Sequence, residues 1–517
     1  MKKILSLVLS VVMAVTAIVG AAPLVYASPD KTDIPVIHVV GTGTHIIRVN
    51  ENGETETVFP LQIPEGYIEE KADVFLPVFA KAFFTQEWDE FCDVLYDCVS
   101  PIFNKMALDK NGEASDGSHA DITWSRQEII DHAADGHYSA TDFVFHYDWR
   151  LDPFVIADSL HEFVQAVMEV TGSDKIALYG RCLGSNMVAA YMHKYGDLGH
   201  VSDVIHYASA AYGATPCSKM FTGELYLHAD AIENFAYDLD LGLSDMISDL
   251  VKSLVTLMNY TYGTDILSWA VNNVVKDIYL DIFPRIVGES YGTFPAYWSM
   301  VSLEDYDRAM ETMFYGKDVD EYAGLIEKIE YYHDNVRVPF EENVKAQVAQ
   351  GIEFSNIVKY GFTNYPIAKN ADELADGMVT VRESSFGAVA SNTEDTLSFR
   401  YLLNATANGK DKYISPDHQI DAATCLSPDT TWFVKNLEHT DFPSCINGLV
   451  SDIVNNRDFN IYSNPEYPQY MVYDGNNINP MTEENMNTTE RYETPFFRAL
   501  LKFFKAVFAL INQGQAE

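Results

Sequence analysis

The chain has 517 residues, 47% hydrophobic and 13% aromatic, enough to bury a large core, which excludes an intrinsically disordered chain and a disulfide-stapled miniprotein. Its 34 Lys and Arg against 75 Asp and Glu leave a formal charge of −41, which phosphate backbones repel, so no nucleic-acid partner is expected. The same charge opposes general adhesion to anionic membranes.

The N-terminus starts Met1-Lys2-Lys3, continues as an apolar run from Ile4 and ends in Val25-Tyr26-Ala27. A charged start, an apolar middle and a small-residue end predict a secretory signal peptide, residues 1–27, cleaved after Ala27. Pro23 and that ending favour removal over retention as an anchor. The mature protein is then expected to be secreted, into a compartment where disulfides persist. Cys92 with Cys98 and Cys425 with Cys445 are candidate pairs among Cys92, Cys98, Cys182, Cys217, Cys425 and Cys445. No cysteine spacing makes a zinc ribbon or a CxxC motif, so no metal is expected.

Past Ser28–Asp33, the β-branched run Ile34–Val40 predicts a buried strand stopping at Gly41-Thr42-Gly43. After a polar stretch with a short helical segment come a strand at Thr141–Tyr147 and helical spacing over Pro153–Val170. A strand at Lys175–Tyr179, a helix at Leu183–Tyr195 and a strand at Val204–Ala208 follow. Strands alternating with helices predict an α/β fold with a mostly parallel sheet, its first part covering residues 28–214. From 215 to 353 the pattern turns to long helical stretches, predicting a cap inserted into the fold. Strand signals return at Ile357–Tyr365, Met378–Arg382 and Phe399–Leu403, in a second core part spanning 354–455. Residues 456–517 combine a segment rich in Asn, Pro, Tyr and Asp, expected to be irregular, with a C-terminal amphipathic helix. Arg498, Lys502 and Lys505 form one stripe of that helix, which suits a peripheral lipid interface or the protein's own surface.

The strongest chemical signal is Lys175–Tyr179 followed by Gly180-Arg181-Cys182-Leu183-Gly184 and a helix. In this strand, G-x-nucleophile-x-G, helix arrangement, small residues allow a sharp turn that exposes one side chain above the sheet edge. Here it is the Cys182 thiol, and a helix N-terminus beside it favours the thiolate. A general base and an orienting acid are expected downstream in the order nucleophile, acid, histidine. Asp417, in Ser415-Pro416-Asp417, is the candidate acid and His439 the candidate base, with Asp421 and His418 their competitors. Oxyanion donors are expected from the backbone N–H of Leu183 and from Thr42 in the glycine loop. That loop lacks the spacing of a dinucleotide fingerprint, so no cofactor is expected.

Four stretches together resemble the lecithin:cholesterol acyltransferase and phospholipid:diacylglycerol acyltransferase family of α/β-hydrolases: Pro35–Gly41, Tyr147-Asp148-Trp149-Arg150-Leu151-Asp152-Pro153, the turn Gly180–Gly184, and Asp417 through His439. Phe294-Pro295-Ala296-Tyr297-Trp298 is similar to the family's Pro-and-Trp cap segment. The resemblance implies the α/β-hydrolase fold and acyl transfer from a hydrophobic acyl donor, through an acyl-enzyme, to an acceptor alcohol or water. The departure is Cys182 where the family carries serine; cysteine stands at that place in dienelactone hydrolases and bile-acid acyltransferases. A thioester yields to amines and thiols faster than to water, so transfer gains on hydrolysis.

Overall fold

The computed structural model describes residues 32–487 except 51, 65, 86, 135, 230, 233–244, 274 and 275. The expected signal peptide and C-terminal helix lie outside the described residues. Eight strands make the central sheet. They are β1 (Val36–Val39), β2 (Phe143–Phe145), β3 (Ile176–Arg181), β4 (Val201–Tyr207), β5 (Glu353–Tyr360), β6 (Thr431–Lys435), β7 (Tyr470–Tyr473) and β8 (Ile478–Pro480). Their order is β8-β7-β6-β5-β4-β3-β1-β2, and only β8 runs antiparallel to its neighbour.

Parallel strands are covered on both faces, which is why β1 and β3 read as mostly apolar runs, interrupted by His38 in β1 and ended by Arg181 in β3. Alternate residues serve different cores. Ile37, Val39 and Leu178 pack with the helices Pro153–Thr171 and Leu183–Tyr195, whereas Val36, Ala177, Tyr179 and Tyr207 pack with the helix Ile446–Asn455. Asp152 caps the first of these helices through the Phe154 N–H, Pro153 opens it, and Gly172 in the left-handed conformation ends it.

Between β4 and β5 the described residues form helices and no strand. Against this insertion packs the helix Asp89–Phe103 of the first core part, itself packed on the helix Tyr67–Thr85, where the sequence suggested a polar stretch with one short helix. Arg285 of the insertion reaches Asp93 at 3.0 Å.

Several expected elements differ. Met378–Arg382 is no strand: Asp376 takes the Met378 and Val379 N–H groups into a turn, and a Thr380/Glu383 capping box starts the helix Val381–Ser384. Phe399–Leu403 opens the helix Phe399–Ala407, capped by Ser398, with Phe399 and Leu403 exposed rather than in a core. The segment after 455 supplies β7 and β8, joined by an Asp474-Gly475 turn in which Asp474 accepts from the Asn476 and Asn477 N–H groups. Asn and Pro there mark the connections, not the whole segment. All six cysteines are free thiols, so neither expected disulfide is formed.

Candidate active site

Chain geometry at the end of β3 places Cys182. Its φ of 51° and ψ of −125° lie where a side chain is rarely tolerated, so the residue is strained, and the helix Leu183–Tyr195 starts at once behind it. The flanking glycines make this turn sterically possible. A Cβ on Gly184 would stand 2.1 Å from the Val39 carbonyl oxygen, and one on Gly180 would stand 2.8 Å from the Ser185 Cα. Gly41, which ends the run after β1, would place a Cβ 2.9 Å from that of Cys182. Ser185 ties the turn by donating from Oγ to the Gly180 carbonyl at 2.9 Å.

The thiol is partly exposed and is hydrogen-bonded to His439 and to the backbone N–H of Leu183. Burial pushes it up, but the His439 charge, these hydrogen bonds and the nearby Arg181 outweigh that, leaving it below its ordinary value. His439 moves the opposite way: burial lowers it, and Asp376 together with the Cys182 thiolate raises it further than burial takes away. The pair therefore favours thiolate and imidazolium.

His439 Nδ1 meets Asp376 Oδ2 at 2.7 Å, and the His439 backbone N–H donates to the Asp376 carbonyl at 2.8 Å. Asp376 is fully buried, and its other carboxylate oxygen is fixed by the N–H groups of Met378 and Val379. The ring nitrogen facing the thiol is therefore Nε2, the arrangement of a nucleophile, base and orienting acid. The loop carrying His439 is held by Lys359 of β5. Its buried Nζ donates to the carbonyls of Glu438 (3.0 Å), His439 (3.0 Å) and Asp441 (2.5 Å). Burial drives Lys359 down to about 7.

Asp417 is not brought to His439, which corrects the expected acid. It is paired with Lys435 Nζ at 2.8 Å, accepts from Ser415 Oγ at 2.6 Å and from the Gln419 N–H, and lies under the Tyr360 hydroxyl. The physical reason is the lysine: β6 ends with Lys435 inside the protein, and a buried ammonium requires an anion. Asp421 accepts from the Tyr401 hydroxyl and the Ala423 N–H instead, and His418 takes the left-handed conformation in the same turn as Asp417, exposed. Asp376 escaped the sequence reading, although Asp376-Gly377 is a turn signal between β5 and β6. Lys359 carried a signal too, a basic residue inside an otherwise buried strand.

Of the two expected oxyanion donors, Leu183 follows Cys182 directly and opens the elbow helix, and Thr42 follows Gly41, whose position abuts Cys182. The Tyr147-Asp148-Trp149-Arg150 segment braces that loop. Tyr147 Oη donates to the Val40 carbonyl at 2.8 Å and Trp149 Nε1 to the Thr44 carbonyl at 2.9 Å. Arg150, completely buried, grips Asp148 through two nitrogens and adds bonds to the Met106 carbonyl and Ser118 Oγ. The cap segment bearing Pro295–Trp298 packs above: Tyr297 lies 5.5 Å from the Trp149 ring, and both Tyr297 and Cys217 are close enough to feel the Cys182 charge.

Strand order, a strained residue between a strand and a helix, and a histidine loop after a later parallel strand make this an α/β-hydrolase fold. No protein-family model and no curated protein matches the chain. The chain is similar to the solved structure of Kex1Δp, a prohormone-processing carboxypeptidase from Saccharomyces cerevisiae, at 12% identity and a TM-score of 0.23, with 86% of each chain covered.

Proposed function

We propose that the protein is a secreted acyl-transfer enzyme in which Cys182 is the nucleophile, His439 the base and Asp376 the orienting acid. The observation that carries this reading is the unbroken chain of contacts from a strained, partly exposed thiol through a buried imidazole to a fully buried carboxylate. Cys182 Sγ attacks the acyl carbonyl of the donor, the carbonyl electrons move onto oxygen, and the Leu183 and Thr42 backbone N–H groups stabilise that charge. Collapse expels the donor's alcohol or thiol, which takes the proton from His439 and leaves a thioester on Cys182. An acceptor hydroxyl, amine or water then gives its proton to His439 as it attacks, and the thiolate leaves.

The donor is expected to be hydrophobic, in keeping with the aromatic cap over the thiol and with the resemblance to acyltransferases that act on lipid esters. The four stretches behind that resemblance include the bracing Tyr147–Arg150 segment. Transfer is favoured over hydrolysis by the thioester itself, which water attacks slowly. Incubation with an activated hydrophobic ester or thioester, followed by mass measurement of the intact protein, tests the reading. One acyl group should appear on Cys182, require His439, and be released faster by an added alcohol or amine than by buffer. An unmodified Cys182 defeats it; acylation discharged only by water makes the protein a hydrolase.

A further inference from the structure

The carboxyl end of the sheet carries a group of buried polar side chains that none of the acyl-transfer steps touches. Register aligns His38 of β1 with Tyr179 of β3 and Arg181 with Tyr207 of β4, and Tyr179 and Tyr207 belong to the core beneath the helix Ile446–Asn455. These four side chains therefore share the face opposite the elbow helix. His146 joins them, two residues beyond Val144, which pairs with His38. The His38 and Tyr179 rings lie 5.0 Å apart.

Among the described residues, both ring nitrogens of His38, Nδ1 of His146, Nε and Nη1 of Arg181 and the Tyr207 hydroxyl are buried without a hydrogen-bond partner. No carboxylate of the described residues lies within 4.0 Å of the Arg181 guanidinium. Its close neighbour is the Phe442 ring at 3.6 Å, which also receives Lys359 Nζ at 3.9 Å. A ring face offsets part of a cation's charge but offers no acceptor to the N–H groups at its edge. Arg181 and the two histidines thus meet with these polar atoms unanswered, and the anion that acts on Arg181 is the neighbouring Cys182 thiolate. Burial, and after it the Arg181 charge, holds both histidines below the usual imidazole range. Asp121 and Glu128 act on His146 in the other direction but are the weaker influence.

We infer that Arg181, His38 and His146 form a binding site for a small carboxylate or oxyanion, with the Tyr207 hydroxyl as a further donor. One negative charge with several acceptor lone pairs answers the guanidinium and gives the neutral imidazoles and the phenol the partner each lacks. Arg181 as a whole is partly exposed, while its Nε and Nη1 are buried with His38 and Tyr207. Occupancy is felt at the nucleophile, since Arg181 is among the groups that hold the Cys182 thiol down. Only this last consequence rests on the proposed acyl transfer.

The test titrates full-length protein carrying Cys182→Ala with sodium acetate and, separately, inorganic phosphate, with sodium chloride as the reference salt at matched ionic strength. Melting temperature and heat are followed. A saturable rise is expected with acetate or phosphate, and an affinity loss of at least about tenfold in Arg181→Gln. His38→Phe, which keeps a ring against Tyr179, should weaken binding by a smaller factor, and it carries the test if Arg181→Gln does not fold. In the parent protein, saturating acetate should move the midpoint of Cys182 alkylation to higher pH. Competition between acetate and the acyl donor identifies the anion as a group of the substrate; a shift without competition identifies a separate effector. A response no larger than that of chloride overturns the inference, as does a saturable one that survives Arg181→Gln or, where that variant is unfolded, His38→Phe. Because the titration uses Cys182→Ala, an unreactive thiol leaves this result standing.

Discussion

Residues Ile176–Tyr195 put Cys182 in place with contacts that are nearly all local: a strand, two glycines without room for a side chain, a serine reaching back five residues, and a helix that starts at the next residue. The shelf facing it is assembled from distance. His439 is oriented by Asp376, 63 positions earlier, and its loop is fastened by Lys359, 80 positions earlier. A nucleophile fixed locally keeps its geometry when one partner is lost. A base fixed by long-range bonds is only as well aimed as each of them.

The largest effect should therefore come from the shelf. Asp376→Asn keeps the shape but removes the charge that orients and supports His439, and the acylation rate should fall by roughly 10³–10⁴, as for a triad acid changed to its amide. Asp417→Asn is the matching control. It breaks a buried pair with Lys435, and unfolding stability should drop by about 3–5 kcal/mol while folded protein keeps a rate near that of the parent. Single-turnover acylation and denaturant midpoints of both variants separate the two roles; a collapse of rate in Asp417→Asn with Asp376→Asn spared would reverse them.

The same asymmetry explains what could be read from the chain. The parallel sheet, the cap insertion and the turn around Cys182 announce themselves because period, glycine spacing and the strand-to-helix switch are properties of contiguous residues. The acid is not announced. Asp376 and Asp417 both sit in turns between sheet strands, and what separates them is which cation each meets, Lys435 for one and His439 for the other. The misread strand at Phe399–Leu403 has a similar origin: aromatic and branched residues fit a strand, but the Ser398 cap and the exposure of Phe399 decide for a helix.

Within the elbow, Gly184→Ala should be the most damaging change, because the new methyl would fall 2.1 Å from the Val39 carbonyl oxygen and helix and strand cannot both stay in place. A loss of ~3 kcal/mol, read as a lower urea midpoint, is expected for such overpacking. Unchanged stability would mean that the elbow is looser than its contacts require.

A smaller, more telling effect is expected at Lys359. Lys359→Met keeps most of the chain's bulk but removes the donors to three carbonyls of the His439 loop. Acylation should slow by about tenfold, a loss of roughly 1.4 kcal/mol, through the base's alignment rather than donor binding. A raised KM with an unchanged kcat would place Lys359 in the donor's pocket instead.

The mildest test concerns the thiols. Burial raises Cys92 to about 12 and Cys425 to about 11, and it raises Cys98, Cys217 and Cys445 as well; among the described residues only Cys182 moves down. Iodoacetamide should therefore find Cys182 first, with its half-maximal rate at lower pH than for an ordinary free thiol. A depressed thiol contributes stability that is fully present above its unfolded value and is lost as pH falls through its folded value. The raised His439 contributes below the unfolded imidazole value and loses that contribution as pH rises through its own folded value. The ion pair thus occupies the window between the two folded values, and the alkylation rate should climb to a plateau inside it. In His439→Ala the main support for the thiolate is gone, burial regains control, and the midpoint should move to higher pH. A midpoint at the free-thiol value in both proteins would show that helix, base and guanidinium do not act together on Cys182.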